Sequence, residues 1–319
     1  MLALLILLPS FASAQTHRGS VRGTVIDQNQ SVIPGATVTL RNVNTNESRV
    51  VSSNSEGEYT IASLPPAQYE LTVQATGFER PPQPFELLVN QELRLDLQMD
   101  VKATGFTADG IVLTPDQLKK DSAAIATVIE NTQVIGLPLD GRNFYELSLL
   151  VPGAVPPAPG SAGSVRGDFS FSVNGAREDS NNFLLDGVYN VDPKLNTFAV
   201  RPPVDAIREF EIATSTYDAA FGRNPGAQVN VVLKSGSNEL HGSLYEFHRN
   251  AALDARNYFA PGNEPAPKYI RNQFGFSVGG PIRKNRTFFF SDYEGTRARE
   301  GITRVTNVPT MEERSGNFS

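Results

Sequence analysis

The chain has 319 residues, which is room for two or three domains. Its 28 basic and 34 acidic residues leave a net charge of −6, which excludes a broad nucleic-acid footprint and a polybasic membrane-surface binder. It contains no cysteine, so disulfides, thiolate nucleophiles and thiolate metal sites are excluded as well.

The start, MLALLILLPSFASAQ, carries an apolar run from Leu2 to Leu8 and then the small-residue pattern Ala12-Ser13-Ala14. An apolar h-region followed by an A-x-A site predicts a secretory signal peptide over residues 1–14. No Lys or Arg precedes the run, which departs from the usual pattern and leaves room for a start codon further upstream. No other stretch reaches the roughly 20 apolar residues of a spanning helix, so any passage through a membrane has to be made by strands.

From residue 19 to 101 short alternating runs are separated by turn chemistry: SVRGTVID, ATVTLRNV, SRVVSSNSEGEYTI, QYELTVQATGF and FELLVNQELRLDLQM. Regular spacing of this kind predicts a β-sandwich. Period two puts Val21, Gly23 and Val25 on one face of the first strand, and Val38 and Leu40 on one face of the second. Gly57 closes the Asn54-Ser55-Glu56-Gly57 turn with a positive φ, and Tyr59, Tyr69 and Phe78 fall at core positions.

The motifs GTVIDQNQSVIPGATVTL and SNSEGEYTIASLPPAQYELTVQATGF make this segment resemble the carboxypeptidase regulatory-like domain, a transthyretin-like or Cna-B-like sandwich. Two chemistries attached to such domains are excluded by the residues themselves. A zinc peptidase site needs three protein ligands, and the chain's three histidines, His17, His241 and His248, all lie outside the sandwich. An internal Lys to Asn isopeptide bond needs a buried lysine, whereas the first lysine is Lys102.

Residues 102–122 are polar and weakly patterned, as a linker with one or two short strands would be. From residue 123 to 237 the pattern becomes α+β. LPLDGRNFYELSLLVPG predicts a helix capped by Asp140, with Phe144, Leu147, Leu150 and Val151 on its apolar side and Pro152-Gly153 as its stop. A Pro/Gly/Ala/Ser-rich surface loop follows, and then four predicted strands, FSFSVNGAR, NNFLLDGVYNVD, REFEIATSTY and AQVNVVLKSG, with the turn PPVDAI leading into the third.

LPLDGRNFYELSLLVPG, SVNGAREDSNNFLLDGVYN, DAIREFEI and FGRNPGAQVNVVLKSGSN, in that order, resemble the plug domain of TonB-dependent outer-membrane receptors. More narrowly they resemble the Oar-like group, in which a carboxypeptidase regulatory-like domain precedes the plug. The resemblance implies an outer-membrane location with the sandwich in the periplasm, a TonB-type energy-transducing partner, surrounding outer-membrane lipid, and a substrate of unidentified class, carbohydrate and peptide being the candidates. It also implies that a TonB-contact segment precedes the plug, where Gly110, Ile111, Val112, Leu113 and Thr114 form a short, partly apolar run suited to adding as an edge strand to a partner sheet. An ordinary linker strand is the competing reading. Where many siderophore receptors carry R-G-P after the plug's E-I-E-V-like strand, this chain has ATSTYDAAFG, which makes a siderophore the less expected substrate.

Residues 238–319 contain NELHGSLYEFHRN, RNQFGFSVGGP and RTFFFSDYEGT, three alternating runs of about ten residues, close to the 9 to 11 of a tilted transmembrane strand. Phe274, Phe276 and Val278 share one face of the second run, with Gln273, Gly275 and Ser277 on the other; in the third, Phe289 and Tyr293 oppose Asp292 and Glu294. Gly279-Gly280-Pro281 reads as the corner between the second and third runs, followed by the short basic turn PIRKNR. A barrel strand and a half-buried soluble hairpin share this alternation, and the strands alone do not separate them.

The remaining motifs have ordinary explanations. His241 and His248 are an odd number of residues apart and point to opposite faces of a strand. Asp179, Asp186 and Asp192 lack the calcium-loop spacing and read as turn carboxylates. Arg166-Gly167-Asp168 reads as a turn, and no catalytic centre, cofactor site or metal site is found. The expected fold is therefore mainly β with an α+β plug: a sandwich, a plug and the first strands of an incomplete transmembrane β-barrel. Three strands cannot close a barrel, which takes at least about eight, so the chain is expected to be a fragment, or an interrupted reading frame, of a longer transporter. The alternative from another class is a secreted or periplasmic carbohydrate-binding sandwich protein.

Overall fold

The computed structural model describes residues 18–101, 125–158, 160–161, 170–215, 217, 221–222, 224–255, 268–301 and 309–317. These form two compact units: the sandwich, the plug and residues 278–291 in one, and the remaining parts of the last three strands with the C-terminal residues in the other. Residues 1–14, predicted as a signal peptide, the predicted linker with Gly110–Thr114, and Arg166-Gly167-Asp168 lie outside the described residues.

The sandwich is built from β1 (Gly19–Ile26), β2 (Thr37–Asn42), β3 (Ser48–Ser52), β4 (Glu58–Leu64), β5 (Ala67–Gln74), β6 (Phe78–Glu79), β7 (Gln83–Leu87), β8 (Glu92–Arg94), β9 (Leu97–Gln98) and β10 (Asp100–Val101). One sheet runs β4-β1-β8 with β9 also on β1, and the other runs β3-β2-β5-β7. The alternation read from the sequence is the one that packs: Val21, Val25, Val38, Leu40, Tyr59 and Tyr69 all lie in one buried cluster, with Phe78 half-buried against it. Gly23 is required by a close approach. A Cβ there would stand 1.8 Å from the Leu95 carbonyl oxygen, the same oxygen that accepts a 2.7 Å hydrogen bond from Tyr59 Oη. Burial raises the pKa of that phenol well above its ordinary value, so it remains a donor.

The plug sheet is ordered β11-β16-β17-β14-β15, from β11 (Ile125–Glu130), β14 (Asn182–Leu185), β15 (Val188–Tyr189), β16 (Ile207–Ser215) and β17 (Gln228–Leu233). The small pair β12 (Ala154–Val155) and β13 (Ser172–Val173) stands apart from it. A short helix α1 (Asn131–Gly136) and 3-10 turns cover the sheet's apolar face, where Phe144, Tyr145, Phe171, Phe183, Phe210 and Ile212 form the core. The rings interlock, with Tyr145 stacked on Phe198 at 4.3 Å and Phe144 edge-on to Phe210 at 5.6 Å.

The helix predicted from Asp140 does not form as such. Gly141 and Arg142 both take positive φ, 62° and 56°, which ends the Asp140–Arg142 turn and separates it from a 3-10 segment, Phe144–Leu150. A 3-10 helix stacks residues three apart. Phe144 with Leu147 and Tyr145 with Ser148 are buried in two such rows and Val151 beyond the segment is buried as well, but the row of Phe144 and Leu147 does not continue to Leu150, which at the segment's end is 66% exposed and not part of the core.

The last sheet is β18 (His241–Asn250), β19 (Tyr269–Arg283) and β20 (Thr287–Glu300), in that order, and α2 (Met311–Arg314) follows it. Its second and third strands have 15 and 14 residues, longer than the runs of about ten read from the sequence. The third continues past Thr296 to Glu300, and for the second the reason is that Gly279-Gly280-Pro281 is not a corner. Strand β19 continues through it, and the chain reverses at Lys284, Asn285 and Arg286, with Asn285 at φ 62°. A Cβ on Gly279 would stand 2.8 Å from His241 Nε2 and 2.9 Å from Phe290, so glycine serves close strand packing there.

Candidate functional site

The sheet β18-β19-β20 is inverted relative to a water-soluble protein. On β19 the polar side chains Gln273 and Ser277 are buried, at 4% and 6% exposure. The apolar ones face outward: Phe276 is 41% exposed, Tyr293 on β20 52% and Leu244 on β18 87%. The inward polar face is satisfied by cross-strand pairs, Ser243 with Ser277 at 2.9 Å and Tyr245 donating to Glu294 at 2.9 Å. On the outward face Phe274 and Phe276 lie 6.4 and 6.1 Å from the ring of Tyr293. Exposing aromatic rings while burying amides and hydroxyls is unfavourable in water and favourable against hydrocarbon.

His241 sits on the polar face beside Gly279, whereas His248, on the opposite face, meets Asn272 at 2.5 Å. Among the described residues no group of three His, Cys, Asp or Glu is placed to hold a metal ion. Of the three aspartates Asp192 acts as a turn carboxylate, accepting from the Lys194 and Leu195 amides, whereas Asp186 accepts from the distant Leu233 amide and Asp179 pairs with Arg177.

The plug has two distinct ends. Its β17 leads out through Lys234 to Asn238, whose side chain and that of Asn46 in the sandwich both bond Asn285 at the Lys284–Arg286 turn. At the other end, where Asn182 pairs with Gln228, Asn181 ties three segments together. Its Nδ2 donates to the Phe171 carbonyl and its Oδ1 accepts from the Ala227 amide. Beside it opens a cavity of about 450 Å³ whose lining includes Ser170, Ser172, Arg177, Glu178, Asp179 and Thr197. Val155, Pro156, Ala158, Ala176 and Leu195 make the rest of the lining mostly apolar, and the polar groups pair among themselves, Arg177 with Asp179 and Ser170 with Glu178, so the cavity provides no nucleophile–base pair. A buried ion pair, Arg142 with Asp205, fastens the 3-10 region to the turn that feeds β16. Sequence reading missed both the cavity and this pair, because their members come from segments far apart in the chain; the only local hint was the Arg-Glu-Asp run at 177–179.

The fold therefore defines a class: a small sandwich, a plug-like α+β domain and a three-stranded sheet with its apolar side chains turned outward. Residues 20–100 match the carboxypeptidase regulatory-like domain, and residues 232–319 match an outer membrane beta barrel domain. Over 97% of its length the chain is 26% identical to the TonB-dependent transporter Oar of Myxococcus xanthus, and it spans 29% of that protein. Among solved structures, the siderophore receptor PirA from Acinetobacter baumannii overlaps 58% of this chain and 26% of its own, at 23% identity and a TM-score of 0.41. A catechol 1,2-dioxygenase from Acinetobacter overlaps 33% of this chain and 60% of its own, at 14% identity and a TM-score of 0.26. Neither overlap, at that TM-score, bears on fold or activity. The chain resembles the Oar-like TonB-dependent receptors of the outer membrane.

Proposed function

We propose that the chain is the sandwich, plug and first wall strands of a TonB-dependent outer-membrane transporter. The observation that carries this reading is the inverted sheet: Gln273 and Ser277 buried, Phe276 and Tyr293 outward. Short turns of outer-membrane barrels face the periplasm and long connections face outside. The three-residue turn at Asn285 then marks the periplasmic end, together with the sandwich residue Asn46 that bonds it. The cavity beside Arg177, at the opposite end of the plug, faces incoming solute.

In this mechanism no bond of the solute is broken. Solute collects at the outward end of the plug, in the cavity whose mostly apolar lining includes Arg177, Glu178 and Asp179. A TonB-type partner, engaging the segment Gly110 to Thr114, pulls on the chain just ahead of β11, an edge strand of the plug sheet paired with β16. Peeling an edge strand breaks one ladder of hydrogen bonds rather than two, which makes it the least costly place to open the plug.

The carbohydrate-binding alternative loses its usual device. All four sandwich aromatics, Tyr59, Tyr69, Phe78 and Phe85, belong to or pack against the core, so none forms a stacking platform for sugar. The test of the transporter reading is fractionation of the full-length protein. It is expected to sediment with outer membranes and to migrate differently on gels before and after heating, as closed barrels do; recovery in the soluble periplasmic fraction would sink the reading.

A further inference from the structure

The outward face of the plug sheet carries charged and amide side chains, yet it is not solvated. Glu209 and Glu211 on β16 and Asn230 on β17 are only 2%, 5% and 2% exposed. The sandwich lies over two of them. Asn90, in the turn before β8, donates a 2.5 Å hydrogen bond to Glu211, and the Val89 amide donates to Glu209. Val89 is fully buried but stands outside the sandwich's own core cluster.

A β-bulge completes the contact. The β16–β17 register shifts between Ile207 and Glu209, so Arg208 is the extra residue. A bulge re-aims the side chains around it. Ile207 therefore remains in the plug core, while Arg208 reaches Glu86 of β7 at 3.8 Å.

We propose that the sandwich is a proton-operated latch on the plug, closed on β16 when Glu209 is protonated and released when it ionises. The buried carboxyl of Glu209 has one oxygen, Oε1, with no hydrogen-bond partner among the described residues, an arrangement that tolerates the neutral acid better than the anion. Burial raises its pKa to about 7; Arg208 and the Val89 amide oppose the rise, and the carboxylates Glu86 and Glu211 add to it. Undocked and solvated, Glu209 would titrate near its ordinary value of 4.5.

The folded, docked value is the higher one. Protonation-linked docking is therefore fully present below about pH 4.5 and is lost as the pH rises through about 7. The docking constant falls on the order of a hundredfold across that window. The latch is independent of what the barrel carries, so its fate and that of the transport reading are separable.

Because the chain lacks cysteine, nitroxide labels can be placed at Glu56→Cys in the sandwich and Val188→Cys in the plug. Their distance distribution can then be measured by double electron–electron resonance in the full protein at pH 5 and pH 8. Wild type is expected to show one narrow docked distance at pH 5 and a broad distribution at pH 8. Glu209→Gln is expected to stay docked at both, and Arg208→Ala with Asn90→Ala to be broad at both. An unchanged distribution between the two pH values in wild type, or the same pH dependence in Glu209→Gln, overturns the latch, as does a docked distance that survives Arg208→Ala with Asn90→Ala at pH 5.

Discussion

Asp205 is 9% exposed and its carboxylate is neutralised by Arg142, whose own side chain is 12% exposed. Removing one partner of a buried pair leaves the other charge desolvated. Arg142→Ala is accordingly expected to destabilise the plug by about 3–5 kcal/mol in urea titrations. Arg142→Ala with Asp205→Ala should recover part of that loss, because both charges of the ion pair are then removed; a double variant no more stable than Arg142→Ala would contradict this. Neither residue is conspicuous in LPLDGRNFYELSLLVPG or PPVDAI, since their pairing spans 63 positions. By contrast, Val21, Val25, Val38 and Leu40 were readable as core from period two alone, because a sandwich strand shows one face to one core.

Strand β19 separates the two meanings of alternation. Periodicity says that Phe276 and Ser277 lie on opposite faces; only packing says that the serine is inside. In the full-length protein Phe276→Arg is expected to cost about 2–4 kcal/mol if it lies near the bilayer midplane, and to reduce the heat-modifiable, membrane-integrated fraction. Ser277→Ala, which removes one side of the Ser243 pair on the inward face, should leave integration nearly unchanged. The reverse order of effects would mean that the sheet is a soluble one. Two local expectations failed for stated reasons. The Gly-Gly-Pro corner gave way to a longer strand because those glycines serve close packing, and the Asp140 helix gave way to 3-10 turns because Gly141 and Arg142 adopt positive φ.

At the scale of the molecule the order of parts carries the mechanism. The segment proposed to meet a TonB-type partner lies between the sandwich and β11, so force applied there reaches the plug through an edge strand while the sandwich holds the neighbouring β16. Deleting residues 107–115 in the full receptor is expected to abolish uptake that depends on the proton gradient while leaving outer-membrane assembly intact. Uptake unchanged by the deletion would remove that segment from the mechanism.

The sequence by itself determined the order of a sandwich, an α+β segment and a set of longer alternating strands, the absence of cysteine chemistry, and which residues of the first two sandwich strands form its core. These are properties of composition and of period two along a continuous stretch. Tertiary structure alone decided that the polar face of β19 is the inner one, that Arg142 finds Asp205, and that Glu209 and Glu211 are closed under the sandwich by Val89 and Asn90 respectively. Each of these depends on what covers a face, and the covering residues come from strands or domains distant in the chain, where no local pattern records them.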